Sequence, residues 1–148
     1  MRFSVIVVSL NAGEELRKTV ESVLCQSYAD FEILVKDGGS TDSSVEQLPK
    51  DERLRLVVRK DRSIYDAMNQ AVRRARGDYF LFLNCGDYLY DSSVLARTAA
   101  AFERKAADIV YGDLYRRALD STDTAPAAIT DFVCYRNVPC HQVCFYAR

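Results

Sequence analysis

Gly77-Asp78-Tyr79-Phe80-Leu81-Phe82-Leu83-Asn84-Cys85-Gly86-Asp87 is the stretch whose reading decides the fold. Gly77 reads as the glycine that follows a helix, and the large apolar residues Tyr79 to Leu83 predict a buried strand. The strand opens into a turn that holds Asn84, Gly86 and Asp87. In open α/β sheets, ligands sit outside the carboxyl ends of the strands. A carboxylate-bearing turn in that position is therefore a candidate binding site.

The rest of the chain repeats the pattern on both sides. Phe3 to Val8 is β-branched and apolar, suited to a strand buried on both faces. Leu16, Val20, Val23 and Leu24 then recur at helical spacing. Phe31 to Lys36 is a second strand, followed by turn residues from Asp37 to Ser43, with Ser40 or Thr41 as candidate N-cap of a short helix to Leu48. Leu54 to Val58 is a third strand. Ser63, with Asp66 three residues on, predicts a capped helix whose apolar face is Ile64, Met68, Ala71, Val72 and Ala75. Downstream, Asp91 or Ser92 opens a helix with Val94, Leu95, Ala99 and Phe102 inward, and Ala107 to Tyr111 is a fifth strand. Arg117 to Thr130, small and polar with Pro126, reads as a loop over the site, and Val143 to Tyr146 as a last apolar segment. Strand and helix alternate with no repeat and no second domain. The expectation is one α/β domain over residues 1–148, with a mostly parallel, Rossmann-like central sheet flanked by helices.

Composition narrows the function. The net charge of −1 makes no electrostatic case for nucleic acid, and 49% hydrophobic with 28% charged residues is ordinary for a globular protein. No apolar run is long enough to cross a membrane. The apolar start at Phe3 to Val8 is broken by Asn11, Gly13, Glu14 and Glu15, which argues for a strand over a signal peptide and for a cytoplasmic protein. The 5 cysteines, odd in number and irregularly spaced, argue against a disulfide framework. Cys134, Cys140, His141 and Cys144 invite a zinc reading, but adjacent Cys140 and His141 depart from the paired-ligand spacing of structural zinc, and free thiols in a buried strand account for them better.

Carboxylates follow several strands: Asp37, Asp87 and Asp113, with Asp61 a few residues after the third. Each alone is explained as a turn former or cap, as are Asp78 and Asp91, and Arg73, Arg74 and Arg76 read as a solvated helix face. Gathered on one rim, like charges at roughly 4 Å would cost on the order of 4 kcal/mol a pair at an effective dielectric of about 20. A divalent cation or a cationic neighbour would remove that cost. Carboxylate, diphosphate and a hard divalent ion form a consistent set, with magnesium or manganese the natural choice.

The joint pattern resembles family 2 glycosyltransferases. Val5 to Asn11 is similar to the family's first strand, Thr19 to Tyr28 to its helix end, and Phe31 to Asp42 to its Asp-Gly-Gly-Ser-Thr-Asp segment. Asp61 to Ala71, containing Ile64-Tyr65-Asp66-Ala67-Met68-Asn69, and Gly77 to Asp87 resemble subgroup motifs, continued by Asp108 to Asp113 and Pro139 to Gln142. Ser63 and Ala71 stand where glycine is usual. The resemblance covers residues 3 to 146 and implies a GT-A type nucleotide-binding domain. It implies a metal-assisted, inverting transfer of sugar from a nucleotide-diphosphate sugar to a glycan or lipid-linked acceptor, in polysaccharide or cell-envelope synthesis. Carried over by position, Ser9, Leu10 and Asn11 lie beside the nucleotide, Asp37 binds its base, and Asp61 lies near nucleotide and sugar. Asn84, Gly86 and Asp87 occupy the Asp-x-Asp-like metal motif, with Asp87 the ligand of Mn2+ or Mg2+ and Asn84 where many relatives have aspartate, and Asn84, Cys85 and Gly86 are also expected to bind the nucleotide. His141 matches the subgroup's His-Gln pair near acceptor or diphosphate. A histidine there could serve as a general base, although a lone histidine is more often structural.

In the family the carboxylate that deprotonates the acceptor follows the His-Gln region, and this chain stops at Arg148. The expectation is a donor-binding portion without the usual C-terminal acceptor segment. A last strand lacking a partner would favour association with further copies, and a lipid-linked acceptor would bring the chain to the inner face of a membrane. Two other readings remain: a nucleotide-binding but catalytically incomplete fragment, and a nucleotidyltransferase. The second would call for a basic, glycine-rich phosphate loop near the amino end, where Asn11 to Glu15 is acidic.

Overall fold

The computed structural model describes residues 1–130 and 140–148, so the part of the zinc reading that rests on Cys134 lies outside the described residues. Its first strand, β1 (Phe3–Ser9), is buried along its whole length and pairs in parallel with β2 (Phe31–Asp37) on one edge and β4 (Tyr79–Asn84) on the other. β3 (Leu54–Val58) adds to β2 in parallel. Among the described residues the six-stranded sheet runs β3-β2-β1-β4-β8-β5, with β5 (Ile109–Tyr111) and β8 (Cys144–Ala147). The β4–β8 and β8–β5 pairings are antiparallel and the other three are parallel among the described residues, so the sheet is mostly parallel, as expected.

Alternation along β1 divides the core. Phe3, Val5 and Val7 pack with Leu16, Val20 and Val23 of α1 (Glu14–Leu24) and Leu95, Ala99 and Phe102 of α3 (Val94–Arg104). Ile6 and Val8 turn to the other face, against Ala67, Met68 and Ala71 of α2 (Ile64–Val72). This is the three-layer arrangement that parallel strands need, because both faces of such a sheet must be covered. Ser63 caps α2 through its side chain, which accepts from Asp66 N at 3.2 Å, as the spacing predicted.

Several expectations are corrected. No helix follows Ser40; residues 44–47 form turns. The side chains of Asp37, Asn11 and Asp42 accept from the backbone N–H groups of Gly39, Ser40, Thr41 and Ser44, which offers those groups an alternative to a helix. Gly77 does not end α2. It is required by close approach, since a Cβ there would lie 2.6 Å from Ser4 N and 2.8 Å from Arg2 O. Residues 117–130 are not simply a loop: β6 (Leu114–Arg116) and β7 (Ser121–Asp123) form an antiparallel hairpin. The last strand is not left without partners, because β8 lies between β4 and β5, which removes the stated reason for self-association. No helix among the described residues is long and apolar enough to cross a membrane.

Glu32 ties the amino-terminal edge of the sheet together. Its carboxylate, 1% exposed, accepts from Ser4 Oγ (2.7 Å), Arg55 Nη1 (2.8 Å) and Arg76 N, while Ser4 Oγ accepts from Gly77 N at 2.8 Å. Burial pushes the Glu32 carboxyl up, but the hydrogen bonds from Ser4, Arg76 and Arg55 outweigh it and hold the group below the ordinary carboxylate range. Its stabilising contribution is therefore present above about pH 4.3 and is lost as pH falls through the lower folded pKa. Glu32→Gln, which turns an amide donor toward Arg55, should cost roughly 1–3 kcal/mol at pH 7 by urea unfolding. The gap from the unmodified chain should close toward pH 3.

Candidate functional site

Parallel register carries the site. Ser9 stands opposite Asp37, and Val8 opposite Asn84, so the last residues of β1, β2 and β4 share one rim. Chain order places β2 and β3 on one side of β1 and β4 on the other. The crevice between β1 and β4 is thus a topological switch point, where α/β sheets take ligands.

On the β2 side, Asp37 is fully buried. Its Oδ1 accepts from Gly39 N (2.8 Å) and Ser40 N (2.7 Å), and its Oδ2 from Ser40 Oγ (2.5 Å). Ser40 Oγ accepts in turn from Asn11 N at 2.8 Å, and Asn11 Oδ1 from Thr41 N at 2.8 Å. Asn11 sits at φ 50, a left-handed conformation that asparagine tolerates better than most residues. The loops after β1 and β2 are therefore stitched together, with Leu10 exposed on their surface.

Asp61 enters from the loop between β3 and α2. Its Oδ2 accepts from Lys36 Nζ at 2.8 Å and lies 3.1 Å from where a Cβ on Gly38 would sit; Leu10 Cδ1 is 3.3 Å from the same point. Ser9, Leu10, Gly38 and Asp61 thus meet at one corner. The expected clash of carboxylates is met here by a lysine, one of the two remedies the charge argument allowed.

On the β4 side, Asp87 closes the turn that the opening motif predicted. Asp87 N donates to Asn84 O (3.0 Å), and Asp87 Oδ2 accepts from Asn84 N (3.1 Å). Gly86, third in this turn, has φ 93, which a side chain would strain, and its N–H donates to Thr19 Oγ1 of α1 at 2.9 Å. Cys85 Sγ donates to Val8 O at 3.3 Å. The 3-10 turn His141–Val143 brings Gln142 Nε2 to Asp87 Oδ2 at 3.3 Å, with His141 beside it. Asn84 Oδ1 and His141 Nε2 are buried without a hydrogen-bond partner among the described residues. Asp113, by contrast, closes the β6–β7 hairpin by accepting from Ala125 N at 2.7 Å.

No group of three or more His, Cys, Asp or Glu among the described residues could hold a metal ion. A magnesium or manganese site needs less, because such ions keep waters and phosphate oxygens and take one or two protein carboxylates. Asp87 and the unpartnered Asn84 Oδ1, two oxygens on one turn, fit that kind of site. Lys36 and Gln142 were not singled out from the sequence as site residues. The signal for Lys36 was a lysine at the end of an otherwise apolar buried strand; the signal for Gln142 was its place beside His141.

Burial pushes the Cys85 thiol up; the Ser9 hydroxyl opposes this, and the carboxylates Asp37, Asp87 and Glu15 add to it. Burial and the carboxylates both favour the thiol form, which donates to Val8 O. Iodoacetamide at pH 8 followed by peptide mass spectrometry should label exposed Cys25 and leave Cys85 unmodified in the folded chain.

Comparison with known proteins bears on the family and the fold. The model of glycosyl transferase family 2 matches residues 4–142. A Mycobacterium bovis PGL/p-HBAD biosynthesis glycosyltransferase is 37% identical over 152 residues, covering 99% of this chain and 59% of its own length. The chain thus spans about three-fifths of that relative. GlyG, a glycosyltransferase of Streptococcus pneumoniae, is 30% identical over 117 residues, 76% of this chain and 38% of its own. Among solved structures, S. aureus TarS in complex with UDP-GlcNAc superposes with a TM-score of 0.74 at 19% identity, covering 99% of this chain and 45% of that one. The mannosyltransferase PcManGT from Pyrobaculum calidifontis, in complex with GDP-Man and Mn2+, gives 0.72 at 18% identity, with 99% and 44% covered. These structural likenesses bear on the fold, which is of the GT-A type. With its family match running almost from end to end, the chain belongs to glycosyl transferase family 2.

Proposed function

We propose that residues 1–148 bind the nucleotide-diphosphate sugar of a metal-assisted, inverting glycosyltransferase, whose acceptor is a glycan or a lipid-linked saccharide. The observation that carries this reading is the shared rim of Ser9, Asp37 and Asn84 at a switch point, with Asp61 and Asp87 beside it. The chain's membership of family 2 supports the reaction class, and the bound UDP-GlcNAc and GDP-Man of its structural neighbours support the donor class.

In this reading Ser9, Leu10, Asn11 and Asp37 receive the nucleoside, and Asp61 its sugar-bearing side. Asp87, with Asn84, Cys85 and Gly86 shaping its turn, would hold Mn2+ or Mg2+ together with the diphosphate. A cation there supplies electrostatic stabilisation of the diphosphate as it departs. Gln142 donates to Asp87 Oδ2 and would help orient this carboxylate toward a cation. His141 is assigned to the neighbourhood of diphosphate or acceptor. We assign the acceptor-activating carboxylate to none of these residues; in this reading it belongs to an acceptor segment outside them. The enzyme would act in the cytoplasm, at the inner face of the membrane when its acceptor is lipid-linked.

Thermal unfolding with UDP and GDP, each with and without Mn2+, tests the donor site. A ligand at 100 times its dissociation constant stabilises by about 2.7 kcal/mol, a rise of several degrees for a domain of this size. One nucleotide should produce that rise only with Mn2+, and Asp87→Asn should abolish it. Equal shifts with and without metal, or an undiminished shift in Asp87→Asn, would contradict the assignment.

A further inference from the structure

Lys36 stands in β2 between Val8 of β1 and Val57 of β3 and is wholly buried. The three residues before it are Ile33, Leu34 and Val35. An apolar side chain would fill this position without taking a charge out of water, and buried ion pairs are often replaceable by apolar groups with no loss of stability. An ammonium has three donors, and three oxygens accept them: Asp37 O at 3.0 Å, Arg59 O at 2.5 Å and Asp61 Oδ2 at 2.8 Å.

The partners differ in how much they depend on the lysine. Asp37 O already accepts from Arg59 N at 2.9 Å, so the strand end is held without it. Asp61 lies on a loop outside the sheet, and among the described residues its carboxylate has no other hydrogen-bond donor. Yet this carboxylate reaches the Gly38–Leu10 corner, 3.1 Å from the Cβ point of Gly38.

We propose that Lys36 is a positioning residue of the donor site: it pins Asp61 Oδ2 against the end of β2, so that Oδ1 is presented to the donor at a fixed place relative to Asp37. The ligand class it serves is a nucleoside diphosphate, and the inference rests on the donor-site reading above. A lysine that merely stabilised the sheet would act on binding independently of Asp61; one that acts through Asp61 would not.

The test is a double-variant cycle in affinity, measured by calorimetry with UDP and GDP in the presence of Mn2+, at a temperature where circular dichroism shows every variant folded. Lys36→Met keeps the stem and removes the ammonium. It should weaken the accepted nucleotide at least tenfold, Asp61→Asn should do the same, and the double variant should bind no worse than the weaker single one. Lys36→Arg keeps the charge, but its planar fork does not match the three acceptors. It should also weaken binding, with no further loss on adding Asp61→Asn, and it carries the test if Lys36→Met does not fold. Losses that multiply, or an unchanged affinity in the Lys36 variants, would overturn the positioning role alone. Failure of the unmodified chain to bind either nucleotide would overturn the donor-site reading and the positioning role with it.

Discussion

Everything in this molecule depends on the two-sided pairing of β1. Its seven residues are buried on both faces and matched residue by residue to β2 from Phe3↔Phe31 to Ser9↔Asp37. A slip of one residue would exchange the faces of Val5 and Ile6 and put each against the wrong helix layer. Because the two cores on either side of the sheet differ in size and membership, such a slip is disfavoured at every position. The register that buries Phe3, Val5 and Val7 is also the one that sets Ser9 beside Asp37 and Val8 beside Asn84. Packing and site are thus fixed by the same pairing.

The second strand carries the electrostatic cost of the arrangement at both of its ends. Glu32 and Lys36 are each buried in it, four residues apart and on the same face by strand alternation. Glu32 gathers Ser4, Arg55 and Arg76 at the amino-terminal edge, where nothing in the site lies. Lys36 gathers Asp37 O, Arg59 O and Asp61 at the carboxyl-terminal edge, where the candidate donor site lies. Both ions have multiple short hydrogen bonds, the condition under which a buried charge is tolerable. The chemistry of the two ends is alike, and their consequences differ: one closes the fold, the other holds a carboxylate of the candidate site.

Much of this was legible in the chain. The apolar runs Phe3 to Val8 and Tyr79 to Leu83 are strands because their burial on both faces leaves a local mark, and the Ser63 cap leaves one too. The turn ending in Asp87 was legible because Gly86 must adopt a positive φ where the strand stops. What was not legible depends on partners distant in sequence. Lys36 finds acceptors 23 and 25 residues away, and Gln142 reaches Asp87 across 55. The insertion of β8 between β4 and β5 is a choice of pairing that a short apolar segment does not announce. The stretch after Asp37 looks helical by its capping residues, yet the Asp37 and Asp42 side chains accept from backbone N–H groups of their own segment, which competes with a helix. Family motifs point to Asp61 and Asp87 together, although no local pattern joins them.

The central claim is that the rim formed by β1, β2 and β4 receives the nucleotide diphosphate, with its cation at Asp87. A crystal structure of the chain soaked with UDP or GDP and Mn2+, with anomalous data at the manganese edge, tests this most directly. The account predicts an anomalous peak within coordination distance of an Asp87 oxygen, with the base against Asp37 and the Ser9–Asn11 loop. A peak or a nucleotide bound elsewhere, with Asp87 contacting neither, would contradict it.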